Sequence, residues 1–216
     1  WPVVVMFHMP GGGKGDLGKH ARRVADLGFV VFSATWGAGG NPYSYTYEQA
    51  RAVDSQGACA VAFARSHATE YGGDPATMIV FGHSGGANTA AMVAFARPEP
   101  TAGCLGGTTL GAIDALVTWD GSWILSVPKG VHDPAVAADP RVVDAMTPWT
   151  YLPERGDLNV VVLVSEFPNG GGHELRPQGG RPVGRRLVAP CARPVGRPAA
   201  AARGERGVRR RHARPR

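Results

Sequence analysis

The residues of this chain best suited to covalent chemistry are Gly82-His83-Ser84-Gly85-Gly86. A serine hydroxyl becomes a useful nucleophile when a base takes its proton and the backbone holds it clear of its neighbours. Glycines two positions before and two after the serine permit a turn sharp enough to project the hydroxyl outward. The pentapeptide directly follows the apolar run Thr77–Phe81 and directly precedes the helical pattern Ala87–Arg97. That strand–turn–helix setting also brings the free amides of a helix N-terminus close to the serine, where they favour developing negative charge. The plain alternative is a glycine-rich turn with an incidental serine.

A second segment has the complementary chemistry. His8-Met9-Pro10-Gly11-Gly12-Gly13 follows the apolar run Pro2–His8. A glycine-rich loop at the end of a strand can bring backbone amides up to a carbonyl oxygen under attack, forming an oxyanion hole. Otherwise it is simply a flexible loop.

Both segments need a scaffold that brings them to one place. Apolar runs of strand length occur at Pro2–His8, Phe29–Ala34, Thr77–Phe81, Ile113–Trp119 and Leu158–Ser165. Between them lie helical patterns at Asp16–Leu27, where Leu17, Ala21, Val24 and Leu27 recur at helical spacing, at Tyr47–Tyr71, and at Ala87–Arg97. Continuous apolar strands alternating with helices predict a doubly wound, mostly parallel α/β sheet with helices on both faces, incomplete at both ends. Sites in such sheets form beyond the carboxyl ends of the strands. The loop 35–45 adds Trp36, Tyr43 and Tyr45, either as walls of an acyl or alcohol pocket or as surface aromatics.

Composition divides the chain. Residues 176–216 hold 13 Arg, no Lys and one acid, Glu205, a net +12, so the overall +6 leaves −6 for residues 1–175. Arg, Ala, Pro and Gly make up 32 of those last 41 residues, a mixture that cannot build a packed core. Residues 1–175 are read as the folded domain. The tail is read as a disordered basic segment or as the product of a shifted reading frame in a GC-rich gene; a nucleic-acid-binding arm carries the least weight, because no Lys or aromatic is interleaved with the Arg. Trp1-Pro2 runs straight into an apolar strand, so the natural N-terminus is expected upstream. No apolar run reaches 18 residues, so no membrane span is expected. Cys59, Cys104 and Cys191 form no CxxC pair, which argues against a zinc site. Cys59 and Cys104 are either two small buried hydrophobes or a disulfide; a disulfide would imply an oxidising, secreted or periplasmic setting.

Over roughly residues 2–166 the chain resembles the α/β-hydrolase carboxylesterases and lipases. The likeness rests on PVVVMFHMPGGGKGD, on AVAFARSHATEYGGDP and on MIVFGHSGGANTAAM, with Tyr71 through Ala87 the closest stretch. It implies a serine carboxylic-ester hydrolase for small-molecule esters, using neither metal nor cofactor. Ser84 would attack the ester carbonyl, and the amide of Gly85 with an amide of the His8–Gly13 loop would hold the oxyanion. The family's His-Gly-Gly-Gly is here His8-Met9-Pro10-Gly11, and Pro10 has no amide hydrogen to donate. Met9, Gly11 or Gly12 must serve, with Gly11 and Gly12 favoured.

The family order of serine, then acid, then histidine puts the acid just past the run Leu158–Ser165. Glu166 is the expected acid, with Asp120 the alternative. No histidine is an obvious base. His173 follows Glu166 too closely to leave room for another helix and strand, and His212 sits within RRRHARPR. His8, His20, His67, His83 and His132 precede the acid. Two alternatives therefore stand beside the esterase reading: a catalytically impaired hydrolase lacking its base, and a serine peptidase on the same fold.

Overall fold

The computed structural model describes residues 1–39, 45–107, 109–121, 139–154 and 156–164. Five strands form one all-parallel sheet: β1 (Val3–Phe7), β2 (Val30–Ala34), β3 (Met78–His83), β4 (Ala115–Trp119) and β5 (Asn159–Leu163), in spatial order β2-β1-β3-β4-β5. The expected strands and helices are all present, with ends shifted by a few residues.

The helices are α1 (Gly18–Asp26), α2 (Tyr47–His67), α3 (Gly85–Ala96) and α4 (Pro140–Ala145). The sequence pattern for α2 runs on to Tyr71, but the last turn, Ala68–Tyr71, tightens into a 3₁₀ helix closed by Gly72 at φ 76°. Thr46 caps α2: its Oγ1 accepts from the Gln49 amide at 3.3 Å, and Gln49 Oε1 accepts from the Thr46 amide at 2.9 Å. The sequence pattern does not foresee α4. Its short apolar face is no guide, but Asp139 capping a helix that begins with Pro140 is a recognisable start signal.

Alternation along β1 sends side chains to two cores. Val3, Val5 and Phe7 face the larger one, with Ala58, Val61 and Ala64 of α2 and Ala90, Val93 and Ala94 of α3. Val4 and Met6 face the smaller one, with Leu17, Ala21 and Val24 at α1. Each fully buried Val, Met or Phe of this kind is worth roughly 1.5–3 kcal/mol of transfer free energy. Helices α2 and α3 meet closely at Gly57, where a Cβ would stand 2.7 Å from Val93. Cys59 of α2 and Cys104 of the loop after α3 are joined in a disulfide, Cα–Cα 5.6 Å, and so are not two separate buried thiols.

This topology fixes where a site can form. The chain leaves β1 toward β2 on one side, with α1 on one face. It leaves β3 toward β4 on the other side, with α3 on the opposite face. The loops after β1 and β3 therefore stand at the carboxyl ends of adjacent strands, where sites in such sheets form. Those loops are His8–Gly13 and the turn at Ser84. At the other end of the order β5 is the edge strand among the described residues; Val161, Val162 and Leu163 are half-exposed and Val164 more so. No helix among the described residues is long and apolar enough to cross a membrane.

Candidate active site

Ser84 lies between the end of the central strand β3 and the first residue of α3, with φ 55° and ψ −124°. L-residues rarely adopt a positive φ, and holding one there costs on the order of 1–3 kcal/mol. The surroundings impose it. The Ser84 amide donates to the Trp119 carbonyl at 2.9 Å, which ties the turn to the end of β4. A Cβ on Gly82 would fall 2.1 Å from the Gly86 carbonyl oxygen, and one on Gly86 would fall 2.3 Å from the carbonyl oxygens of both Phe7 and His8. Only glycine fits at either position. Ser84 Oγ makes no side-chain capping bond to α3, and the Gly85 amide, at the first residue of that helix, has no acceptor within it.

The His8–Gly13 loop lies directly against this turn. The Pro10 ring packs on Gly85 so closely that a Cβ there would stand 2.4 Å from Pro10 Cγ. Pro10, which donates no hydrogen bond, is thus a spacer between the loop and the elbow. The Gly12 amide, one of the two favoured donors, turns back to the Met9 carbonyl at 3.2 Å, and the Gly13 amide donates to Asp16 Oδ2 at 2.9 Å. The amides of Met9 and Gly11 have no hydrogen bond among the described residues. Gly11 reaches its place with φ 77° and has open space around it.

Three histidines are near. His8 is fully buried; its Nδ1 contacts the Met9 carbonyl at 2.6 Å and its Nε2 accepts from the Trp36 amide at 3.4 Å. With both ring nitrogens engaged, His8 is not available as a base. His83 and His20 both lie against the Trp119 ring, at 4.4 Å and 5.3 Å between centroids, and His20 Nδ1 is buried with no partner among the described residues. Asp120 directly follows β4 with φ 50°, its amide donating to the Leu163 carbonyl at 2.9 Å. Glu166, His132, His173, His212 and Tyr43 lie outside the described residues. Tyr45 is buried and its hydroxyl accepts from the Ala38 amide, so it supports the loop from beneath.

The chain matches no protein-family model and no curated protein sequence. Solved structures do superpose on it, among them esterase 2 of the planctomycete Thermogutta terrifontis. The butyrate-bound form matches with TM-score 0.56 and 18% identity, covering 80% of this chain and 77% of that one. The apo form gives TM-score 0.57 and 17% identity over 76% and 72%. The form phosphonylated by sarin gives 0.57 and 16% over 76% and 73%. The fold is that of an α/β-hydrolase. At such identities the likeness speaks for the α/β-hydrolase architecture alone, and the roles of individual residues rest on the geometry above.

The part played by Trp36 is not legible in the sequence. A pocket wall and a surface aromatic are the two roles its position suggests, whereas in this α/β-hydrolase fold it covers His8. The available signal is weak: an aromatic just past a strand, with nothing local to name its partner.

Proposed function

We propose that this chain is a serine carboxylic-ester hydrolase that works through an acyl-Ser84 intermediate. Ser84 Oγ attacks the ester carbonyl carbon while its proton passes to a histidine oriented by Glu166. His173 and His212 are the histidines that follow that acid in the chain. The carbonyl oxygen becomes an oxyanion held by the amides of Gly85 and Gly11, with Gly12 bracing the loop. Collapse breaks the ester C–O bond, and the alcohol leaves with the proton. Water then attacks the acyl-Ser84 carbonyl by the same route and releases the carboxylic acid.

The observation carrying this reading is the positive-φ backbone of Ser84 at the N-terminus of α3, faced by the Gly11 loop. Such strain persists where the surroundings enforce it, and it clusters at functional turns. Esterase 2 of Thermogutta terrifontis has been solved bound to butyrate and to propionate and phosphonylated by sarin. By analogy, short-chain carboxylic esters are the first substrates to try and organophosphonates the first covalent probes.

The test is labelling with a fluorophosphonate followed by peptide mapping. Label on Ser84, lost in Ser84→Ala, supports the reading; label elsewhere, or none, removes it. Comparing p-nitrophenyl esters with p-nitroanilides separates esterase from peptidase. A second reading is a hydrolase that turns over slowly for want of a base: His8, the histidine at the root of the loop beside Ser84, has both ring nitrogens engaged and cannot stand in for one. Under the first reading His173→Ala or His212→Ala abolishes turnover. Under the second neither does, and only a residual of roughly 10³–10⁴ over water is left.

A further inference from the structure

We propose that Trp36 is a positioning residue for the oxyanion hole, acting through His8 without touching the substrate. The inference rests on the esterase reading above. Trp36 follows β2, and three separate contacts join it to His8. Its indole Nε1–H donates to the His8 carbonyl at 3.0 Å, its backbone amide donates to His8 Nε2 at 3.4 Å, and the two rings stack with centroids 5.6 Å apart and planes 25° apart. Because Nε2 accepts, the ring proton sits on Nδ1 and points at the Met9 carbonyl, 2.6 Å away. One tautomer thereby binds Trp36 on one side and the first turn of the loop on the other.

The His8 carbonyl held by Trp36 is also an atom that faces the elbow, since a Cβ on Gly86 would fall 2.3 Å from it. Trp36 is braced from behind by its own neighbours. The Gly37 amide donates to Gln56 Oε1 of α2 at 3.0 Å, and the Ala38 amide to the Tyr45 hydroxyl at 3.4 Å. A line of contacts therefore runs from α2 through Trp36 and His8 to the loop that carries Gly11.

The brace matters for the part of the loop that its own bonds leave free: the Gly12 and Gly13 amides are tied to the Met9 carbonyl and to Asp16 Oδ2, whereas the Gly11 amide has no hydrogen bond among the described residues. A Cβ placed on Gly11 would meet nothing within 4 Å, so the space around it is open. An oxyanion donor lowers the barrier only if it already points at the place where charge will develop. A glycine amide free to swing would lose that advantage to reorganisation. Trp36 restricts the swing at the root of the loop, His8, and leaves the tip open to substrate.

The experiment uses the full chain with Trp36→Phe, which keeps a stacking ring but removes the Nε1–H donor, and Trp36→Ala, which removes both. Four quantities are read: kcat and KM for p-nitrophenyl acetate, the second-order rate of Ser84 labelling by a fluorophosphonate, and Tm, which checks that each variant is folded. Trp36→Phe should lower kcat and the labelling rate about tenfold and Trp36→Ala about a hundredfold, approaching the loss of one oxyanion donor. KM should stay within about twofold, because uniform substrate binding is untouched. Gln56→Ala, which loosens the brace from behind, should shift the labelling rate in the same direction and keeps the test open if Trp36→Ala fails to fold. Unchanged rates, or a raised KM with kcat intact, would overturn the proposal and make Trp36 a scaffold residue or a pocket wall. A parent chain that takes no label at Ser84 overturns the esterase reading itself, a result distinct from a labelled parent whose Trp36 variants behave alike.

Discussion

The ring of Pro10 rests on Gly85, leaving no room for a β-carbon between the His8–Gly13 loop and the turn at Ser84: a Cβ at residue 85 would stand 2.4 Å from Pro10 Cγ. Gly85→Ala should therefore push the loop off the elbow and cut the Ser84 labelling rate by about a hundredfold. Replacing Pro10 by glycine in the same chain removes the clashing ring and should return part of that loss. A double-mutant cycle on labelling rates measures the coupling, and simple additivity would mean that the two residues do not meet in solution.

Ser84 trades stability for its conformation. Ser84→Gly should abolish labelling and raise unfolding stability by about 1 kcal/mol or more, because glycine adopts φ 55° without the steric cost. Urea or thermal unfolding of the two chains checks it. Equal or lower stability in the variant would mean that the turn is unstrained.

Asp54 on α2 is 3% exposed and its Oδ2 lacks a hydrogen-bond partner among the described residues, with Arg51 Nη1 3.7 Å away. Burial pushes its carboxyl from 3.8 up to about 8, and Arg51 only partly opposes this. Because the folded state binds the proton more tightly than the unfolded chain, this contribution is complete below about pH 4. It is lost progressively as pH rises toward 8. The parent should thus lose stability across that window. Asp54→Asn, which cannot ionise, should flatten the curve and be relatively more stable near pH 9. Parallel pH profiles of Tm would exclude a buried neutral carboxyl.

The Cys59–Cys104 bond closes a loop of sequence separation 45. Loop-closure entropy for that length corresponds to about 4 kcal/mol, with about 2–4 the usual yield. Reduction, or Cys104→Ser, should lower Tm accordingly, and alkylation of the unreduced native chain should leave both cysteines unmodified. A chain with both thiols alkylated in its native state would mean that Cys59 and Cys104 are not bonded in solution.

The sequence alone is informative wherever the deciding interactions are local. Strand runs and helical spacing are set by neighbours a few residues apart, so β1 to β5 and α1 to α3 are legible. The six-residue α4 shows only its Asp139-Pro140 start. The elbow is legible largely for the same reason: Gly82 is required by atoms of Gly86 and Ala87, within a few positions of Ser84.

The tertiary structure decided what depends on partners distant in the chain. Nothing near Cys59 names Cys104, and nothing near His8 names Trp36, 28 positions away. How the His8–Gly13 loop folds against Gly85, and where the Gly12 amide turns, likewise depends on such partners. Those partners are adjacent only because the sheet orders its strands β2-β1-β3, which sets the ends of β1 and β2 side by side and lays the loop after β1 over the turn after β3. Local residue pattern specifies each element and the turn at Ser84, while strand order determines which of their loops meet.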